Sequence, residues 1–552
     1  MSDSVSEGLY LLDYGAGNVR SVFNAVEALG HKISLISHPS DFDKAKKIIF
    51  PGVGSFGHAI ESMKKKNLIQ PLLEYIKSNR PLFGICVGMQ VLFEGSQESD
   101  SPGLAIFPGT VTKFNDSSKP VPHIGWTTPV LVQELPESLS SIKSHLTTDS
   151  FYYFVHSYAV PYIENHKNLY TVNTVTKYHD ETFISSICSN NIFATQFHPE
   201  KSGKSGLNLL DFFIKHFQPI NTFPSPKFFS NITSQPSSRV IACMDVRSND
   251  QGDLVVTKGD QYDVRESSQN NQVRNLGKPV ELAKRYYLEG ADEVTFLNIT
   301  SFRNIPLNDT PMLDILKEAS KSVFVPMTVG GGIRAISNPQ TGENWSPVQV
   351  ADAYFLAGAD KISIGSDAVY SAEKFIKNNL TKDGSSSIEQ ISFVYGSQAV
   401  VVSIDPRRVY VDNPSSTKHH AIQTSIKGPN NESYCWFQCT VNGGREGRDI
   451  DVVELATSIQ ILGAGEILLN SIDKDGSNSG FDLELISLVK SSVSIPVIAS
   501  SGAGNPSHFY DAINIAKADA VLAAGIFHRN EVSISESKQY LASKNINVRP
   551  AI

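Results

Sequence analysis

Pro81-Leu82-Phe83-Gly84-Ile85-Cys86-Val87-Gly88-Met89-Gln90-Val91-Leu92-Phe93 reads as strand, tight turn and helix. The apolar run 81–83 suits a buried strand and 89–93 carries helical spacing, with one cysteine at the break between them. Gly84 and Gly88 flank that cysteine, as a sharp strand-to-helix turn requires when it pushes its central side chain outward. This is the thiol form of the G-x-S-x-G elbow. A helix N-terminus favours a thiolate, and amides at its start, such as that of Val87, are free to face an oxyanion.

A second element lies more than a hundred residues on, where Asn191-Ile192-Phe193-Ala194-Thr195 runs into Gln196-Phe197-His198-Pro199-Glu200. Two residues apart on an extended segment, His198 and Glu200 share one side, so the carboxylate can orient the imidazole and the imidazole can take a proton from Cys86. Taken singly, Cys86 suits an inert core thiol and His198 a capped loop residue. The elbow and the F-H-P-E run together disfavour both. Residues 8 to about 217 resemble the class I glutamine amidotransferases, through G-x-C-x-G, H-P-E, Leu12-Asp13-Tyr14-Gly15-Ala16-Gly17-Asn18 and Phe50-Pro51-Gly52-Val53-Gly54-Ser55-Phe56. The resemblance implies a doubly wound mixed sheet and a Cys86, His198, Glu200 triad. It also implies an oxyanion loop at Gly52, Val53 and Gly54, and Gln90 as a contact to bound glutamine.

At 552 residues the chain exceeds one ordinary core, and 40% hydrophobic with 19% charged residues is the balance of a globular enzyme. No apolar run reaches membrane-spanning length and the first eight residues are polar, so the expectation is a cytoplasmic protein with no membrane partner. A net charge of −8 gives no reason to expect nucleic acid, so anionic ligands need local basic groups and backbone amides. Five scattered cysteines suit a reducing compartment. Cys435 and Cys439 lack zinc spacing and read as part of a hairpin turning at Asn442-Gly443-Gly444, so no metal and no cofactor is expected. Proline-rich Gln218 to Ser238 separates an amidotransferase domain at 1–217 from a second domain at 239–552.

Beyond Arg239, strands read at 239–245, 293–299, 323–329, 361–365, 400–405, 466–472, 494–499 and 519–524, alternating with helical segments. That is a (β/α)8 barrel, with polar surface loops expected at Asn378–Gln398 and Asp412–Asn431. The barrel repeats itself in halves. Asp245 after a strand pairs with Asp405; Pro326-Met327-Thr328-Val329-Gly330-Gly331-Gly332 pairs with Pro496-Val497-Ile498-Ala499-Ser500-Ser501-Gly502; Gly365-Ser366 pairs with Ala524-Gly525. Gly-rich turns at strand ends expose amides that cradle phosphate, and two related cradles imply a bisphosphate. Asp245 and Asp405 between them are candidates for paired acid and base.

Cys243-Met244-Asp245-Val246, Ser471-Ile472-Asp473-Lys474-Asp475-Gly476 and the duplication resemble the cyclase of the imidazole glycerol phosphate synthases, in the fused eukaryotic form. The resemblance implies glutamine and a bisphosphorylated ribonucleotide as substrates, with Asp475 and Gly476 beside the second. Lys258 reads as the anion contact of a lid at 259–275. By alternation Arg239 points inward with Asp245, and the resemblance adds Glu293, Lys361 and Glu466 to a floor ring that gates ammonia; a solvated rim of surface ion pairs is the competing reading. A sugar isomerase barrel and a glutamine-sensing scaffold are the alternatives in function, and one chain carrying both domains is expected to act as a monomer.

Overall fold

The computed structural model describes residues 8–15, 17–52, 54–132, 146, 150–163, 171–220, 235–248, 254–257, 279–298, 310–337 and 342–551. Val53, Lys258, the lid at 259–275 and most of the stretch between the domains fall outside the described residues. The chain divides into two compact units between residues 237 and 238, with 320–325 and 394–396 clustering with the first.

The first unit is built on an eight-stranded mixed sheet. Ser34–Ile36, Leu9–Leu12, Lys47–Phe50, Leu82–Ile85 and Ile192–Thr195 lie side by side and parallel, followed by antiparallel Glu181–Ser189, Thr171–Tyr178 and Val130–Leu131. The parallel strands are near-continuous apolar runs because helices such as Val19–Ala28 and Gly203–Lys215 cover them. Pairing of Ile85 with Thr195 sets the ends of two central strands together, which delivers Cys86 and His198 to one edge from 112 residues apart.

The second unit is a closed barrel of eight parallel strands: β1 (Arg239–Ser248), β2 (Glu293–Asn298), β3 (Met327–Gly330), β4 (Lys361–Ile364), β5 (Val400–Ile404), β6 (Glu466–Leu469), β7 (Val497–Ala499) and β8 (Ala520–Ala523), with β8 pairing back to β1. The (β/α)8 reading holds with several strand boundaries shifted, and β6 ends at Leu469 rather than at 472. β3 and β7 begin later than the apolar runs suggest, because Pro326 and Pro496 stand just before them and cannot donate to a ladder. β1 runs three residues further, where an antiparallel strand, Leu254–Thr257, pairs with its end. Ile241, Cys243, Val401, Leu468, Ile498, Ala520 and Leu522 fill the interior.

Neither stretch read as a polar surface loop is only that. Residues 387–395 form a helix whose Ile388 and Ile391 are fully buried. Within 412–431, Ile422–Gln423 pairs with Tyr434–Val441, which also pairs with Pro406–Val411 and Glu446–Asp451. Asn442, Gly443 and Gly444, all at positive φ, turn that hairpin. Polar composition hid both elements, since their few apolar residues do the packing.

Candidate active sites

Cys86 sits at the break between strand Leu82–Ile85 and helix Val87–Gln90, with φ 50° and ψ −110°. Such a backbone costs of order 1–3 kcal/mol in a non-glycine residue and survives only when its surroundings over-determine it. Here they do. A Cβ on Gly84 would stand 2.8 Å from Gly88 O, and one on Gly88 would stand 2.2 Å from Phe50 O. Gly52 is as constrained, since its Cβ would meet Val87 N at 2.3 Å, so the loop through 52 lies against the amides that open the helix. Gly54 has φ 104°, another position that favours glycine.

His198 follows the neighbouring strand, and its Nδ1 lies 2.8 Å from Glu200 Oε1. Both side chains are buried. Burial alone would lower the imidazole pKa, but the charges of Glu200 and Cys86 and hydrogen bonds to both outweigh it and hold His198 well above 6.5. A raised imidazole value suits a base that takes the thiol proton and keeps it.

A residue that motif reading did not single out completes the cluster. Gln196 donates through Nε2 to Cys86 Sγ at 3.4 Å, and its Oε1 accepts from Gln90 Nε2 at 3.1 Å. Gln90 also donates to Tyr158 O at 2.9 Å, so both its amide hydrogens hold protein groups. The structure thus places Gln90 behind Gln196. Gln196 was in view in the quoted motif, but only the pairing with Gln90 gives it a direction.

In the barrel, Asp245 lies three residues before the end of β1 and Asp405 directly follows β5, on strands four apart in a ring of eight and hence opposite. Burial raises the Asp405 carboxyl; Asn470 Nδ2, donating to Oδ1 at 2.6 Å, opposes the rise, and the Asp475 charge adds to it. Asn470, just beyond β6, also donates to Ser403 Oγ at 3.1 Å. Parity along β6, with Glu466, Leu468 and Asn470 on one face, was the signal that could have found it.

The two glycine-rich turns expected to cradle phosphate repeat in conformation as well as in sequence. After β3, Gly331 and Gly332 have φ 105° and 74°; after β7, Ser501 and Gly502 have φ 71° and 96°. The serine therefore keeps the left-handed backbone that its glycine counterpart adopts. A Cβ on Gly330 would press Leu297 Cδ2 at 2.7 Å, and one on Gly502 would meet Gly480 O at 2.3 Å. Gly365 and Ala524 precede helices Ser366–Lys377 and Gly525–His528, with ψ −109° and −71°. Ser366 Oγ accepts from Asn442 N at 2.9 Å, which commits that oxygen to the hairpin turn. Asp475 and Gly476, the latter at φ 66°, lie in the turn after β6.

At the other end of the barrel Arg239, Glu293, Lys361 and Glu466 start β1, β2, β4 and β6 and close one ring. Arg239 Nη1 meets Glu293 Oε2 at 3.1 Å and its Nη2 bonds Glu466; Lys361 Nζ meets Glu293 at 2.8 Å and Glu466 at 2.6 Å. All four are at most 1% exposed, so they are not a solvated rim. Burial would raise Glu466, but Arg239 and Lys361 outweigh it and hold its carboxyl below the ordinary range. Thr328 at the start of β3 donates to Glu293 and extends the ring.

A family model described as "Glutamine amidotransferase class-I" matches residues 10–216, and one described as "Histidine biosynthesis protein" matches residues 239–533. The chain is 54% identical over 547 residues to "Imidazole glycerol phosphate synthase hisHF" of Schizosaccharomyces pombe, covering 98% of this chain and 99% of the relative. It is 52% identical over 551 residues to the chloroplastic hisHF of Arabidopsis thaliana, covering 99% and 90%. The second unit alone matches "Imidazole glycerol phosphate synthase subunit HisF" of Methanosphaera stadtmanae, 42% identical over 314 residues, 57% of this chain and 99% of the relative. With both halves matched in one chain, in the order of the fused relatives, the chain belongs to the fused imidazole glycerol phosphate synthases, a class I glutamine amidotransferase joined to a histidine-biosynthesis barrel.

Proposed function

We propose that residues 1–217 make ammonia from glutamine and that the barrel, 239–552, consumes it. There phosphoribulosyl-formimino aminoimidazole carboxamide ribonucleotide becomes imidazole glycerol phosphate and aminoimidazole carboxamide ribonucleotide, a step of histidine biosynthesis. One observation carries this reading: a buried His198–Glu200 pair beside the strained Cys86 elbow shares a chain with two opposed carboxylates on a duplicated barrel.

Cys86 Sγ, its proton held on His198, adds to the glutamine carboxamide carbon, and the resulting oxyanion faces the Val87 amide and the Gly52–Gly54 loop. As the carbon–nitrogen bond breaks, His198 gives its proton to the departing nitrogen, so neutral ammonia leaves and a thioester remains. Water, deprotonated by His198, then splits the thioester to glutamate. In the barrel the phosphates of the second substrate take the turns at 330–332 and 501–502 and the helix starts at 365–366 and 524–525. Asp245 and Asp405 move the protons of ring closure, one as acid and the other as base. The floor ring is the gate that admits ammonia.

Product analysis with the bisphosphate and either glutamine or an ammonium salt tests the whole. Both nitrogen sources should give the imidazole product, and Cys86→Ala should keep only the ammonium route. Isomerised bisphosphate without ring closure would point to a sugar isomerase, and binding without turnover to a sensor.

The reading extends to a monomer acting on two small molecules. Among the described residues no helix is long and apolar enough to cross a membrane. All five cysteines are free and buried, which supports a reducing compartment such as the cytoplasm. Fractionation and light scattering test these two points.

A further inference from the structure

One cluster outside both sites is chemically incomplete. The ring of His419 stacks on Trp436 at 3.9 Å, with 20° between the planes. Its Nε2 lies 3.0 Å from Asp449 Oδ1, so the proton on that nitrogen faces a carboxylate. Nδ1 is buried and makes no hydrogen bond. It faces Asp451 Oδ2 at 3.7 Å and Glu454 Oε2 at 3.6 Å, too far for hydrogen bonds. A nitrogen lone pair aimed at two anionic oxygens is repelled unless positive charge stands between them. We propose that His419 Nδ1, Asp451 and Glu454 hold a divalent cation of the zinc class. The cation would tie the 412–431 stretch to the start of helix Val452–Leu462.

The three ligand atoms lie within 4.8 Å of one another. Zinc binds imidazole nitrogen and carboxylate oxygen at about 2.0–2.2 Å in a tetrahedron, which sets ligand atoms roughly 3.3–3.6 Å apart. The two separations from Nδ1, 3.6 and 3.7 Å, need only a slight contraction to match, and the carboxylate oxygens lie within 4.8 Å of each other. One imidazole with two carboxylates suits a borderline cation better than magnesium, which prefers oxygen alone. Asp449 supplies what a metal-bound histidine usually has, an acceptor on its other nitrogen that fixes the tautomer.

Capping does not exhaust the carboxylates. Asp451 Oδ1 accepts from the amides of Val453 and Glu454, while Oδ2 accepts only from His420 N at 2.9 Å and keeps a lone pair. Glu454 Oε2 accepts from Asp451 N at 3.2 Å and is half exposed, leaving a solvent side for entry and for a fourth, water ligand.

The test is calorimetric titration of the metal-stripped full-length chain with Zn2+, with tryptophan emission as a second signal from Trp436. His419→Gln and Glu454→Gln are measured alongside. Glu454→Gln retains an oxygen for the Asp451 amide, so its fold survives and it decides the matter if His419→Gln does not fold. The wild type should bind one more equivalent than His419→Gln, and Glu454→Gln should bind at that site ~10-fold or more weakly. Equal stoichiometry and affinity in all three proteins, or no uptake by the wild type, overturns the proposal. A proton on Nδ1 would then be the bridging charge.

Discussion

Lys361→Ala takes one cation from a ring of two cations and two carboxylates that is almost wholly shielded from water. Arg239 is then left to face Glu293 and Glu466 alone, a net negative charge in the barrel floor. Removing one partner of a buried ion pair costs about 3–5 kcal/mol, because the other partner stays desolvated and uncompensated. Proton uptake limits that cost, since each unit by which a carboxyl rises is worth about 1.4 kcal/mol. In the wild type the Glu466 carboxyl is held low, so it contributes stability that is present above its unfolded value of 4.5 and is lost as pH falls through the lower folded value. Without Lys361 its folded value rises. The stability deficit of the variant should therefore be largest at high pH and narrow as pH falls through the raised value. Urea unfolding of the two proteins at a series of pH values reads this directly, and unchanged midpoints would refute the account of the ring. The functional reading has its own measurement, glutamate released per imidazole product. That ratio should exceed one in the variant while ammonium-driven cyclisation is retained; a ratio still at one removes the gate.

The remaining predictions concern the two chemical centres. Asp245→Asn or Asp405→Asn should lower ammonium-driven cyclisation by roughly 10²-fold or more with the fold retained, and near-normal turnover in either removes that residue from the chemistry. Asn470→Ala deletes the contact that opposes the rise of Asp405, so the limb of the pH–rate profile set by Asp405 should move to higher pH; an unmoved profile shows that Asn470 does not position it. Gln196→Leu removes a donor to Sγ worth about 1 kcal/mol, so glutaminase turnover should fall roughly fivefold while ammonium-driven cyclisation is untouched. Loss of both activities in a folded Gln196→Leu would mean that the two centres are not separable.

What the sequence disclosed was whatever local stereochemistry fixes. Gly84 and Gly88 announce the elbow because a side chain at either would strike backbone within three ångström, a constraint that holds before the rest of the fold is known. Asn442-Gly443-Gly444 announces its hairpin for the same kind of reason, three left-handed residues in a row. The half-barrel repeat carried the architecture because it compares the chain with itself. What depends on register between distant strands was not legible. Alternation along β1 sets Arg239 inward, but only the neighbouring strands bring Glu293, Lys361 and Glu466 to the same height. The helix at 387–395 escaped because Ile388, Ile391 and Tyr395, one helical face, are outnumbered by serines and charges at 378–398.

The interior of the barrel is layered by residue type in a way that stability alone does not explain. Along one face of β1 stand Arg239, Ile241, Cys243 and Asp245, charge, two apolar residues, then charge again. The apolar middle needs no special reason, since it is where burial is favourable. The charged floor does. Apolar side chains of similar volume in place of a buried ion-pair network are often neutral or stabilising by about 1–4 kcal/mol, so the burial of this ring, at most 1% exposed, is no argument that it stabilises the barrel. The proposed gate gives the floor a reason: two cations each shared by two carboxylates can exchange partners without either anion being left bare, whereas an apolar plug could open only by unpacking the strands around it. The same sharing makes the ring sensitive to the loss of a single member: without Lys361, which meets both anions at 2.8 Å or less, one negative charge in the floor is left unanswered.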